Sequence, residues 1–170
     1  MIIENHIEDQ VLNDYFFIEG IIDVDSKYFI NQIKKGIKQE DNMSFKTNIR
    51  DQMTSYNYFN QDKKFIEIIQ KFIKYVDDRI KLFPYFLKDS WGFCVKNPGR
   101  TKLHNHPFMF SGVLYLNDHN QTLDFPSINR KVKPKKGKFV LFSSFLLHEA
   151  KTNKDKKIKY GISFNLADQA

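Results

Sequence analysis

Lys102-Leu-His-Asn-His-Pro-Phe-Met-Phe-Ser-Gly-Val-Leu-Tyr-Leu116 is the stretch on which the reading of the whole chain turns. In an extended chain side chains repeat every two residues, so His104 and His106 leave the backbone on one face. Two imidazoles entering an apolar strand fill a core poorly but hold a metal ion well. A third histidine, His148, follows a second apolar run, Lys138-Phe-Val-Leu-Phe-Ser-Ser-Phe-Leu-Leu147. In a rolled-up sheet, a pair from an early strand and one residue from a late strand can meet inside the mouth of the barrel. The expected site is a metal held by His104, His106 and His148, with open coordination positions. Zinc there would activate water, whereas iron(II) would take a chelating cosubstrate and oxygen. The residues alone leave both metals open.

Short apolar runs divided by turn signals surround this stretch. Trp91-Gly-Phe-Cys-Val-Lys96 runs into the turn Asn97-Pro-Gly99, and Leu103 to Leu116 reads as one strand interrupted at Pro107. Leu123-Asp-Phe125, the run from Phe139 to Leu147 and Tyr160-Gly-Ile-Ser-Phe-Asn165 complete the series. Strands of this length and spacing describe an antiparallel sandwich or barrel. The N-terminal half differs. Val11 to Asp23 reads as an early strand pair, or as a strand and a short connector. Asp25-Ser26 caps a helix whose stripe is Tyr28, Phe29, Ile30, Ile33 and Ile37. Gln61 to Phe83 is the clearest helix, with Phe65, Ile69, Phe72, Val76 and Ile80 on one face. Between the helices, Asn42 to Asn60 shows no period, and Arg50 in it reads as a surface residue. The expectation is a mainly β (α+β) chain, one domain over residues 1–170, with helical support within 25–83 and a metal-bearing β core over 87–166.

The 170 residues suffice for a real core, and 17 Phe with 8 Tyr suit sheets. The net charge of +7 gathers in Arg130 to Lys138 and in Lys151 to Lys159. Solvated loops and lysine-guarded edge strands explain it better than nucleic-acid binding, since no nucleic-acid motif accompanies the charge. An acidic substrate remains compatible with it. Cys94, the single cysteine, rules out an internal disulfide and a cysteine-rich zinc site, and it reads as a small buried hydrophobe. No signal peptide and no membrane-length apolar run is visible, so a soluble, cytoplasmic protein is expected. His6 reads as solvated, and His119, in an Asn-Asp-His-Asn turn, as exposed. Asp118 and Asp124 lack the strand phase of preferred carboxylate ligands.

His104-Asn-His-Pro, Ser111-Gly-Val-Leu-Tyr-Leu116, Gly137-Lys-Phe-Val-Leu-Phe-Ser-Ser144, His148 and Ile162-Ser-Phe-Asn165 together resemble the 2-oxoglutarate/iron(II)-dependent oxygenases of bacteria and tailed phages. Lys46-Thr-Asn48, Met53-Thr-Ser55 and Asp89-Ser-Trp-Gly92 extend the resemblance upstream, over about residues 45 to 165. It implies a double-stranded β-helix (jelly-roll) core with N-terminal flanking helices, Fe(2+) and 2-oxoglutarate as cofactors, O2 as co-reactant, and hydroxylation of a substrate. For a phage protein the compartment would be the host cytoplasm. Two positions depart from the wider superfamily: His106 stands where a carboxylate ligand is usual, and alignment on Ser163-Phe-Asn165 puts Lys159 at the arginine position and Gly161 at the Ser/Thr position. By this resemblance Lys159 grips the far carboxylate of 2-oxoglutarate, with Tyr115 as a second partner. Phe108, Phe110, Phe139 and Phe142 are expected to line or back the pocket. The competing readings are a jelly-roll binding protein with a degenerate or structural metal site, contacting nucleic acid or another acidic partner, a zinc hydrolase-like cupin, and a basic nucleic-acid-binding module.

Overall fold

Helix periodicity and strand alternation build the architecture of the computed structural model, which describes residues 2–3, 15–39, 49–80 and 84–168. Helix α1 (Ser26–Gln39) starts where Asp25 accepts the Tyr28 N–H at 3.1 Å and buries Phe29, Ile33 and Gly36. Helix α2 (Lys63–Ile80) starts where Asp62 accepts the Phe65 N–H at 3.0 Å. It buries Phe65, Ile68, Ile69, Phe72 and Val76, and its expected continuation to Phe83 lies outside the described residues.

Among the described residues, twelve strands form two antiparallel sheets. The first has seven strands in the order β1 (Ile2–Ile3), β2 (Phe17–Ile22), β10 (Lys138–Ser143), β7 (Phe110–Tyr115), β12 (Lys159–Asp168), β5 (Tyr85–Val95) and β4 (Gln52–Met53). The second has five, in the order β3 (Ile49–Arg50), β6 (Arg100–His104), β11 (His148–Ala150), β8 (Leu123–Phe125) and β9 (Arg130–Val132). One face of the larger sheet packs under α1 and α2; the other faces the smaller sheet.

The expected strand from Leu103 to Leu116 is two strands in different sheets. β6 ends at His104, residues 105–109 cross over, and β7 runs on in the large sheet. The run from Phe139 to Leu147 divides likewise into β10, a turn and β11. The two halves pair antiparallel in both sheets, β7 with β10 and β6 with β11, a ribbon of two chains wound through the molecule. This is the double-stranded β-helix, or jelly roll. Gly137 makes the tight entry into β10: its φ is 75°, and a side chain there would meet the Ile22 carbonyl oxygen at 2.2 Å.

Alternation along the strands sorts the core into two layers. Phe110, Leu114, Phe139, Leu141, Ile162 and Phe164 pack toward the helices. Phe17, Trp91, Phe93, Val113, Tyr115 and Phe142 pack toward the small sheet. Of the four phenylalanines expected to line or back the pocket, Phe108 and Phe142 line it, whereas Phe110 and Phe139 lie on the helix side of the sheet. Parity is the reason, since Phe139 and Phe142 are three residues apart on one strand.

Smaller corrections follow. His119 is 3% exposed rather than exposed: its Nδ1 accepts the Gln121 N–H at 3.0 Å and its Nε2 lies 3.0 Å from the Lys157 carbonyl. Within Asn42 to Asn60, residues 42–48 lie outside the described residues, but β3, β4 and a turn over 56–61 are regular. So does the early part of Val11 to Asp23, up to residue 14; of that expected pair β2 is described. Cys94 is buried against the helix-side core, as expected. Arg130 to Val132 is an edge strand and residues 151–158 a loop, the places expected for solvated lysines, except that Lys159 itself is buried. No helix among the described residues is long and apolar enough to cross a membrane.

Candidate metal centre

Backbone pairing brings the histidines together. His104 and His148 are direct cross-strand partners on β6 and β11, and their ring centroids are 4.3 Å apart. His106 lies two residues past the end of β6, held by its backbone N–H to the Ser144 carbonyl at 3.0 Å. Its ring centroid lies 4.9 Å from that of His104 and 5.2 Å from that of His148. One ligand nitrogen from each ring lies within 4.8 Å of the others.

Two rings are oriented by the same local device. His104 Nδ1 donates to the Lys102 carbonyl at 2.7 Å, and His148 Nδ1 donates to the Leu146 carbonyl at 2.8 Å. A carbonyl only accepts, so Nδ1 carries the proton and Nε2 is left bare as a ligand, the usual outer support of a metal-binding histidine. Burial, with the neighbouring imidazoles as a lesser cause, pushes His106 down to about 4 and His148 down to about 3. Burial also lowers His104. Three neutral imidazoles at neutral pH are the protonation state that a divalent metal requires. The donor set fits such an ion. Neither alternative carboxylate joins it: Asp118 accepts the Lys136 N–H, and Asp124 pairs with Thr122 and Lys131.

The histidines border a cavity of about 340 Å³ between the sheets. That volume falls within the roughly 300–1,000 Å³ of small-molecule sites. On the large sheet the cavity-facing residues stand in cross-strand rows. Asp89, Asn165, Ser111 and Phe142 form one row; Trp91, Ser163 and Val113 the next; Phe93, Gly161 and Tyr115 a third; Val95 and Lys159 a fourth. The ring of His148 lies 4.9 Å from that of Phe142, and His106 lies 6.3 Å from Trp91, so the three histidines sit over the first two rows.

Lys159 and Tyr115 occupy the opposite, enclosed end and are 3% and 1% exposed. Among the described residues no carboxylate pairs with Lys159, and its Nζ lies 5.9 Å from the Phe93 ring centroid. Burial alone pushes its ammonium down to about 7. Burial, then the charges of Glu19 and Asp124, raises the Tyr115 phenol, which therefore keeps its proton. Gly161 is bare because Phe93 fills its place: a Cβ there would meet Phe93 Cζ at 2.4 Å. Arg50 is exposed on β3, away from the cavity that its neighbour Ile49 lines.

Sequence reasoning passed over a polar chain at the other end. Asn165 Nδ2 donates to Asp89 Oδ1 at 2.6 Å, Ser111 Oγ donates to Asn165 Oδ1 at 2.6 Å, and Ser144 Oγ lies 2.8 Å from Ser111 Oγ. Its signal was there in the period of two that places Asp89 on the face of Trp91 and Phe93.

No protein-family model matches the chain, and no curated protein matches it. Solved structures do match in fold. A prolyl-4-hydroxylase from Pseudomonas putida superposes with a TM-score of 0.70 at 13% identity, over 91% of this chain and 93% of that one. The viral collagen prolyl hydroxylase of Paramecium Bursaria Chlorella virus-1, in its 2OG complex, gives 0.67 at 17% identity, over 91% and 96%. HygX from Streptomyces hygroscopicus, with nickel and 2-oxoglutarate bound, gives 0.66 at 9% identity, over 91% and 83%. At these identities the likeness is one of fold: the chain has the jelly roll on which those oxygenases are built.

Proposed function

We propose that the chain is a 2-oxoglutarate- and iron(II)-dependent dioxygenase that hydroxylates a C–H bond of an organic substrate. One observation carries the reading. Three neutral imidazoles converge beside a cavity whose enclosed far end holds a buried lysine without a counter-ion among the described residues. A metal on the histidines and a carboxylate against Lys159 would complement the two ends of this cavity, and a 2-oxo dicarboxylate supplies a chelating end and a far carboxylate in one molecule. The sequence resemblance to bacterial and tailed-phage oxygenases, and the fold shared with enzymes solved with 2-oxoglutarate, support the choice.

His104, His106 and His148 hold the metal as neutral ligands. Lys159 pairs its ammonium with the far carboxylate of 2-oxoglutarate as a point charge, where arginine would offer a fork. Tyr115, in the adjacent row, keeps its proton and donates to the same carboxylate. Phe108 and Phe142 help to exclude water from the cavity. With iron(II) bound, the site couples reduction of O2 and oxidative decarboxylation of 2-oxoglutarate, to succinate and CO2, to hydroxylation of the substrate. A third imidazole in place of a carboxylate leaves the centre one negative charge poorer, and the dianionic cosubstrate offsets this. The single, buried cysteine suits a reducing cytoplasm.

Anaerobic addition of iron(II) and 2-oxoglutarate to the purified protein tests the reading. A weak visible charge-transfer band is expected, absent in His148→Ala, and admission of air should release succinate. Iron binding without the band, or no iron binding, would instead favour a zinc or purely structural site.

A further inference from the structure

The cavity is electrically two-ended. Among the described residues that line it, Lys159 is the one lysine or arginine and Asp89 the one carboxylate. Both point inward from the large sheet, Asp89 in the row of Asn165 and Lys159 six residues before Asn165 on β12. At about 3.3 Å per residue the two rows lie roughly 20 Å apart. Exposure runs the same way. The lysine end is closed, whereas at the carboxylate end Tyr56 is 42% exposed and Asp89 half-buried, so the cavity opens there.

The carboxylate end is also built. Asp89 can only accept from the Asn165 amide, so Asn165 presents its oxygen to Ser111, whose own hydroxyl proton is thereby committed. Ser144 must then donate to Ser111. Every donor in the chain points toward Asp89, and such chains polarise one another. This fixes Oδ1. No described residue donates a hydrogen bond to Oδ2. Burial raises the Asp89 carboxyl, partly offset by the Asn165 hydrogen bond and then by Lys88, which alternation directs to the other face of β5. Beside it stand Tyr56 and Trp91, edge to face with centroids 5.1 Å apart, and Trp91 reaches His106. An oriented carboxylate with a free oxygen, flanked by aromatic faces, is a receptor for a cationic nitrogen.

We infer that Asp89, held by Asn165, binds a positively charged nitrogen of the substrate, an alkylammonium or guanidinium, at the mouth of the cavity, with Tyr56 and Trp91 against its aliphatic stem. The inference rests on the dioxygenase reading and adds to it a substrate class. The basic loops, which taken by themselves favour an acidic substrate, lie outside this lining; the local carboxylate decides the preference. The carbon to be hydroxylated then lies on that stem, between the anchored nitrogen and the three histidines.

Trp91 is the only tryptophan of the chain, so its emission reports on this end of the cavity. The full chain, with iron(II) and 2-oxoglutarate under anaerobic conditions, is titrated with Nα-acetyl-lysine methylamide and with its norleucine and glutamate counterparts. The lysine probe should bind roughly 10- to 100-fold more tightly than norleucine, the range expected of a hydrogen bond to a charged group, with glutamate the weakest. Asp89→Asn, which keeps an acceptor for Asn165, should erase the lysine preference. Equal binding of lysine and norleucine by the wild-type protein, a preference for glutamate, or an unaltered preference in Asp89→Asn overturns the proposal. The visible band of the same samples separates the two levels. A band with no lysine preference removes the substrate class and keeps the dioxygenase; a preference that depends on Asp89 without a band does the reverse.

Discussion

Burial moves the Lys159 ammonium from its ordinary 10.5 down to about 7, and that displacement has a sign that can be tested. Between about pH 7 and 10.5 the folded protein binds fewer protons than the unfolded chain, so this group makes stability rise with pH. Its penalty is fully present below pH 7. Lys159→Met should therefore be more stable than wild type at neutral pH without cosubstrate, and the gap in urea midpoint should close as pH rises through that window. Cosubstrate binding has the opposite slope. A carboxylate docked on Lys159 requires the charged form, so above about pH 7 binding takes up a proton and the dissociation constant for 2-oxoglutarate should rise by up to about tenfold per pH unit. Lys159→Arg stays charged throughout and should flatten the profile. A wild-type profile flat from pH 7 to 9 would remove Lys159 from the carboxylate. The histidines were legible in the sequence because His-x-His is a local pattern. The state of Lys159 was not, because a lysine within a basic run reads as solvated until the strand that buries it is known.

At the scale of elements, β7 carries a tight packing constraint. Gly112 faces the helices, and a Cβ there would meet Phe164 Cζ at 2.2 Å, with two more ring atoms within 2.7 Å. That ring cannot easily yield. It stacks on Phe72 of α2 at 5.7 Å and 13°, and it meets Phe65 edge to face at 6.0 Å. Gly112→Ala should therefore destabilise by about 1–3 kcal/mol, the range for overpacking a closed core, read as a lowered urea midpoint at unchanged slope. No change would mean that the ring moves aside. The same strand shows where sequence reading stopped. The helices and most apolar runs were legible because periods of 3.6 and 2 are written locally. The break between β6 and β7 showed only as an interruption at Pro107; that the two sides of it enter different sheets was not legible. Which sheet each half enters depends on its pairing with β10 or β11, more than twenty residues away in sequence. Phe110 was misplaced for that reason, since parity does not carry across the crossover at residues 105–109; Phe139 and Phe142, three residues apart on β10, could not both face the pocket.

At the scale of the molecule, the large sheet is a wall between two compartments with different tasks. Behind it, α1, α2 and the rings of Phe72, Phe139 and Phe164 form a dry core. In front lie the polar chain, the cavity and the histidines. A wall of paired backbone should separate the effects of substitutions on its two sides. Phe72→Ala removes a ring packed 4.6 Å from Phe139 and leaves a cavity in a core that α2 alone cannot collapse. About 3–5 kcal/mol of stability should be lost, measured in urea. The iron(II) and 2-oxoglutarate titration of the fraction that remains folded should nonetheless keep its wild-type midpoint. His148→Ala should do the converse: it abolishes the visible band, yet it removes a group that burial has already stripped of its charge, so the metal-free protein should lose far less in urea than Phe72→Ala does. If Phe72→Ala weakened iron binding in step with the loss of stability, the sheet would be transmitting helix packing to the metal. The site would then have to be treated as one cooperative unit with the core behind it.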